Sequence, residues 1–159
     1  MSFTTLIKNE ICSNDYSRLE NICLLSGFLR NNISICSDKF IVSSENPRVI
    51  RKVFKLFKEL FDINLEVSSL KGNNFNKSCY NIVICDKVAS IFSSLLICEN
   101  GVMFPPVPSY FLDDEDLKRS YLRGVFIAKG SINDPKKSRY HMEFLVSRKD
   151  EAYFIAYLL

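Results

Sequence analysis

The sequence predicts an α+β domain of two helix-strand-strand-helix repeats related by a pseudo-twofold axis, with a central glycine-bearing helix in each and antiparallel sheets. Three observations predict it. The segment LSGFLRNNISI (25–35) recurs as LRGVFIAKGSI (122–132), a shift of 97 residues with four identities in eleven positions. Each copy runs from a helical apolar pattern straight into an extended stretch. Further on, IVSSENPRVIRKVFKLF (41–57) matches LVSRKDEAYFIAYLL (145–159), through a loop seven residues longer in the second copy. The shared order of elements marks an internal repeat more firmly than the identities do. Repeat one spans about 15–98, a connector about 99–112, and repeat two about 113–159.

In chain order, residues 3–12 suit a short helix. Ser17 or Asp15 can cap a second helix carrying Leu19, Ile22, Cys23, Gly27 and Phe28 at helical spacing. ISICSDKFIVS (33–43) reads as two strands turning at Ser37-Asp38-Lys39. Asn46 is an N-cap candidate, and Pro47 suits the first helical position, where a missing N–H costs nothing. The helix that follows has an apolar stripe of Val49, Ile50, Val53, Phe54, Phe57, Leu60 and Phe61. Arg48, Arg51, Lys52, Lys55 and Lys58 lie opposite, as a solvated face of an amphipathic helix would. Strands are predicted at 64–70 and 80–85 around the polar loop KGNNFNKS, and a helix over 87–98. The proline-rich stretch before Asp113 reads as the connector. Asp113, Asp114, Glu115 and Asp116 then open a helix, where acidic charge complements the macrodipole.

Composition narrows the class. An apolar fraction of 47% with 13 Phe and 7 Tyr supports a sizeable core, and a net charge of +3 does not by itself indicate a nucleic-acid partner. The six cysteines contain no C-x-x-C pair and there is one histidine, so a zinc site is poorly supplied. Buried, reduced thiols are expected, together with a cytoplasmic location, since no signal-peptide pattern or membrane-length apolar run occurs. Phosphate-loop and serine-elbow motifs are missing too. His141 and Glu143 share a face of the strand RYHMEFLVS, opposite Tyr140, Met142, Phe144 and Val146, and read as surface residues before an acid/base pair.

Glycine inside a helix costs about 1 kcal/mol relative to alanine. Its recurrence at Gly27 and Gly124 is explained if the two helices cross closely, with Leu25, Leu122 and Ala128 completing the contact. The pattern L-x-G-φ-φ-x-A-x-G, twice, each copy followed by paired strands, resembles the LAGLIDADG homing-endonuclease scaffold. More closely, YLRGVFIAKGSINDPKKSRYHMEF and IVSSENPRVIRKVFKLFKELF resemble the amino-terminal part of the WhiA family over nearly the whole chain. The resemblance implies a bacterial regulator associated with sporulation, cell division and chromosome segregation. It also implies a carboxy-terminal helix-turn-helix domain beyond this scaffold. That domain is expected to lie outside this sequence, and the second repeat is expected to be incomplete.

In active LAGLIDADG nucleases, an acid near the end of each motif holds a divalent cation, which takes oxygen ligands. The eighth motif positions here are Asn32 and Lys129, and the sixth are Arg30 and Ile127, none of them an acid. The expectation is a scaffold without nuclease chemistry, with no catalytic residue, metal or cofactor and no membrane or small-molecule partner. Double-stranded DNA is the expected partner. From Lys118 to Arg139 there are seven basic residues and one acid, and Lys129, Lys136, Lys137 and Arg139, with Lys39 in the first hairpin, are the candidate phosphate contacts. A regulatory protein-interaction module with little DNA affinity is the second reading, and a residual metal-dependent nuclease the third.

Overall fold

The computed structural model describes residues 1–36, 38–71, 78–95, 97–99, 102–103 and 112–159, without the side chains of residues 36, 71, 98, 99, 102 and 103. Among these residues, six helices and eight strands follow in the order α1 (Phe3–Ser13), α2 (Arg18–Asn31), β1 (Ser34–Cys36), β2 (Lys39–Ser44), α3 (Pro47–Phe61), β3 (Glu66–Lys71), β4 (Ser78–Ile84), α4 (Val88–Ser94), β5 (Cys98–Glu99), β6 (Val102–Met103), α5 (Glu115–Lys129), β7 (Gly130–Ile132), β8 (Met142–Phe144) and α6 (Lys149–Leu158). All strand pairs are antiparallel: one sheet has the order β1-β2-β4-β3, and β5-β6 and β7-β8 form two-stranded ribbons.

Helices α2 and α5 form the centre. Ser17 caps α2 in a full capping box, its hydroxyl accepting from the Glu20 N–H while the Glu20 carboxylate accepts from the Ser17 N–H. Asp114 caps α5 by accepting from the Leu117 N–H at 2.9 Å. These two caps stand 97 residues apart, the spacing of the repeat. Each helix leads into a strand, α5 directly into β7 and α2 into β1 after Asn32 and Ile33.

The cores lie on either side of this helix pair. The larger one packs Phe28, Leu24 and Leu25 of α2 against Phe40 and Val42 of β2, Ile82 and Ile84 of β4, and the α3 stripe. Phe40 anchors it, with ring centroids 4.8 Å from Phe92 and 6.0 Å from Phe57. Burying one such aromatic contributes on the order of 2–3 kcal/mol. The smaller core joins Cys23, Tyr121, Val125 and Ile155, with Tyr121 edge-on to Phe154 at 5.6 Å.

Several elements depart from the sequence reading. The stripe of α3 is completed by buried Leu56, while Phe54, Leu60 and Phe61 are half-buried. The helix predicted over 87–98 stops at Ser94: Lys87 gives it no side-chain cap, and the Ile97 N–H turns back to the Phe92 carbonyl at 2.9 Å. Leu19 is exposed, being on the outer face of the first turn of α2. Among the described cysteines only Cys23 is buried; Cys12 and Cys79 are half-buried and Cys85 is exposed, because it follows β4 at the sheet's end. Tyr140 and Met142 are exposed, since the β7-β8 ribbon packs inward through Phe144, whose ring meets Phe126 at 6.0 Å. The tip of the loop 71–78, Ser37 of the first turn and most of the connector lie outside the described residues.

Candidate functional site at the ends of the central helices

The contact between α2 and α5 is made backbone to backbone. A Cβ on Gly124 would collide with the Leu24 carbonyl oxygen and lie 2.8 Å from the Leu24 carbonyl carbon and 2.9 Å from the Phe28 nitrogen. A Cβ on Gly27 would collide with the Tyr121 carbonyl oxygen and lie 3.2 Å from its carbon. The two glycines therefore do not face each other; each faces the residue three positions before the other. Leu25 is fully buried, and Leu122 and Ala128 are half-buried.

This crossing sends both helix ends to one cleft of about 790 Å³, whose wall includes Asn32 after α2 and Ala128 and Lys129 at the end of α5. Asn32 is fully engaged there. Its Nδ2 donates to the Ser43 carbonyl at 2.7 Å and its Oδ1 accepts from the Ser43 N–H at 3.3 Å, pinning the end of β2. Lys129 is exposed and its carbonyl accepts from the Leu145 N–H at 3.0 Å, which fixes the chain just beyond β8. The opposite wall is α1. The Thr4 hydroxyl donates to the Ile132 carbonyl at 3.0 Å and accepts from the Ile132 N–H at 2.9 Å, while the Asn46 Nδ2 donates to the Asn9 Oδ1 at 2.9 Å. Helix α1 is thus tied to both halves, and it brings Lys8 into the cleft, its Nζ 5.9 Å from the Phe126 ring centroid. Burial and the neighbouring Lys129 charge hold the Lys8 ammonium below its usual pKa. Among the described residues no cluster of three or more His, Cys, Asp or Glu side chains is placed to hold a metal ion.

Arg30, which offers nothing as a metal ligand, is the pivot of a buried polar network. Its Nε donates to the Glu151 Oε2 at 3.2 Å with both side chains 2% exposed. Glu151 also accepts from the Tyr121 hydroxyl at 2.5 Å and from the Asn31 Nδ2 at 3.2 Å. Burial, followed by the Glu151 charge, pushes the Tyr121 phenol far above its usual range. The network joins α2, α5 and α6. Nothing in local spacing announces it, because the partners are 121 residues apart.

The remaining basic candidates are dispersed. Lys118 and Arg119 pair with Glu115 and Asp116 one turn back, at 3.1 and 3.7 Å, and Arg123 lies 4.0 Å from Glu20 and over the Tyr16 ring. The excess between 118 and 139 is therefore not one free patch. Lys136, Lys137 and Arg139 are exposed on the β7-β8 connection, in no ion pair among the described residues. Asp134 shapes this turn: its Oδ1 accepts from the Lys136 N–H at 2.9 Å and its carbonyl from the Lys137 and Ser138 N–H groups. Lys39, the 97-residue counterpart of Lys136, is exposed at the start of β2. His141 and Glu143 touch at 2.6 Å, each about 60% exposed, on the open surface of the ribbon. The α3 bases Arg48, Arg51, Lys52 and Lys55 line a smaller groove against α1, where the Lys52 Nζ donates to the Asn14 carbonyl at 3.0 Å.

Comparison with known proteins finds the WhiA N-terminal LAGLIDADG-like domain over residues 20–98 and the WhiA LAGLIDADG-like domain over residues 118–159. The chain belongs to the WhiA family. The probable cell division proteins WhiA of Staphylococcus aureus strains JH9 and Newman are each 31% identical to it over 159 residues, covering 96% of this chain and 50% of the relative. The chain thus spans about half the length of the curated WhiA relatives it matches. Two solved structures share the fold. The N-terminal LAGLIDADG domain of DUF199/WhiA has a TM-score of 0.76 at 24% identity, over 99% of this chain and 72% of that one. Full-length DUF199/WhiA from Thermatoga maritima has a TM-score of 0.73 at 22% identity, over 99% of this chain and 49% of that one. The LAGLIDADG-like α+β fold read from the sequence is the fold of this WhiA-family chain.

Proposed function

We propose that the chain is the non-catalytic scaffold of a WhiA-type DNA-binding regulator acting in cell division, chromosome segregation or sporulation, in the cytoplasm at the nucleoid. The observation that carries this reading is the state of the two central-helix ends. Where a nuclease needs a carboxylate from each, Asn32 has both amide atoms committed to Ser43 and Lys129 presents a cation. Hard divalent cations take anionic oxygen ligands, so this pair is unsuited to hold one. Duplex contact is assigned to Lys136, Lys137 and Arg139, with Lys39 and Lys129 in support; phosphates pair with such exposed cations without reading sequence. The relatives named cell division proteins support the biological setting.

The test is a duplex titration at several salt concentrations. Affinity should fall steeply with salt, with a log–log slope near −0.9 per phosphate contacted. Replacing Lys136, Lys137 and Arg139 together by Ala should weaken binding and flatten that slope. An unchanged affinity removes these residues from the interface. A second reading, a protein-interaction module, is favoured by one observation: Tyr140, Leu145, Tyr153 and Tyr157 are large, apolar and 68–84% exposed on β8, α6 and their flanks. No duplex binding even at low salt selects it.

A further inference from the structure

The cleft at the central-helix ends has the wrong sign for a metal and the right sign for an anion. Among the described residues, Lys8, Arg48 and Lys129 line it against one carboxylate, that of Glu45. None of the three cations is in an ion pair among the described residues. Two helices also begin at its wall: α1, capped by Ser2, and α3, capped by Asn46 with Pro47 at its first turn. Their aligned peptide dipoles add positive potential at two points along that wall. The Ser44 hydroxyl, which accepts from the Asn46 N–H and keeps its own proton, is a neutral donor in the cleft lining. A volume of about 790 Å³ is within the range of small-molecule sites.

We propose that this cleft binds a small phosphorylated ligand, with Lys8 and Lys129 as the principal contacts and Arg48 at the entrance. A free ligand suits the geometry better than a duplex backbone does. Lys8 is half-buried on the cleft side of α1, and α1 crosses between the two halves through Thr4–Ile132 and Asn9–Asn46. The principal cations offered to a duplex, Lys136, Lys137 and Arg139, are instead exposed on the β7-β8 connection. An anion between Lys8 and Lys129 relieves their mutual repulsion and so binds more tightly than to either lysine alone. Because α1 is held to both halves and has no fully buried residue, occupancy would also tighten its seat.

The test uses the full 159-residue chain, with inorganic phosphate, pyrophosphate and ATP as probes in calorimetric titrations and a short duplex as the separate nucleic-acid arm. Pyrophosphate and ATP should bind saturably and with one-to-one stoichiometry, phosphate more weakly. Lys8→Met with Lys129→Met should weaken ATP binding at least about tenfold, while Arg51→Met with Lys55→Met, in the neighbouring groove, should leave it within about twofold. The single change Lys129→Gln, at an exposed position, gives the same readout should the double variant fail to fold. No saturable binding by about 10 mM of any probe overturns the proposal, as does equal affinity in the Lys129→Gln chain. Loss of duplex binding, rather than ATP binding, in the Lys8/Lys129 variants would make the cleft part of the DNA face and overturn the small-ligand assignment. The Lys136/Lys137/Arg139 variant should retain ATP binding, which separates this site from the proposed DNA contact.

Discussion

Gly124 is seated on the carbonyl of Leu24, and the repeat turns that contact into a pair. Shifted by 97 residues, Leu24 becomes Tyr121 and Gly27 becomes Gly124, and Gly27 is indeed seated on the carbonyl of Tyr121. A contact that maps onto itself under the repeat is what a local twofold axis between two helices produces. Close Cα–H···O approaches of this kind need a residue without Cβ.

Either glycine changed to alanine must therefore push two backbones apart. Gly124→Ala is expected to cost about 3 kcal/mol and Gly27→Ala somewhat less, by chemical denaturation, because Gly124 meets more backbone atoms. Ala128→Gly, at a half-buried position of α5, should cost only about 1 kcal/mol. Equal, small losses at all three would mean that the helices do not cross here.

The Arg30–Glu151 pair sets a second expectation. Glu151→Gln removes the carboxylate charge facing the buried Arg30 guanidinium and should destabilise by about 3–5 kcal/mol. Tyr121→Phe removes one hydrogen bond to Glu151 and should cost about 1–3 kcal/mol, since it also leaves a carboxylate lone pair unmet. Replacing Arg30 and Glu151 together by Met and Leu should recover much of the single-variant loss. Denaturant midpoints of the three variants measure this directly.

Thiol reactivity should follow burial. Burial first, then the charges of Asp114 and Glu20, push the Cys23 thiol up to about 12, and burial pushes Cys12 to about 11. Thiolate is the reactive form, so both should resist a disulfide reagent in the native chain at pH 8. Cys85→Ser should remove one fast-reacting thiol, whereas Cys23→Ser should remove none.

The α2 capping box should be visible in the acid limb of stability. The Ser17 backbone N–H, then its hydroxyl, hold the Glu20 carboxyl below its usual pKa. A depressed folded pKa means that this stabilisation is present above the unfolded carboxylate pKa and is lost as pH falls through the folded value. Glu20→Gln should therefore flatten the decline in melting temperature below about pH 4–5. Ser17→Ala should cost about 1 kcal/mol at neutral pH.

Where local chemistry decides structure, the sequence was readable. Asn46-Pro47, Ser17 and Asp114 announce helix starts, and the recurrent glycines announce the crossing, because caps and close approaches restrict residue type strongly. The ends of elements were harder: α4 is cut short by a backbone turn that an apolar run with serines does not forbid. Contacts between distant segments left no local trace. Arg30 looked like a spent motif position until Glu151 met it, and Lys8 belonged to a short helix with no role assigned to it until that helix crossed the cleft. Asn32 and Lys129 were legible as replaced acids, but the anchoring of β2 by Asn32 was not.

The most direct test of a scaffold that holds DNA without cutting it is one experiment with two readouts. Supercoiled plasmid is incubated with the chain at a protein concentration that shifts a labelled duplex at low salt, with Mg²⁺ or Mn²⁺ present and absent. The account predicts a salt-sensitive shift and plasmid that stays supercoiled in every lane. Metal-dependent nicking by the unaltered chain that tracks the protein through purification would contradict it.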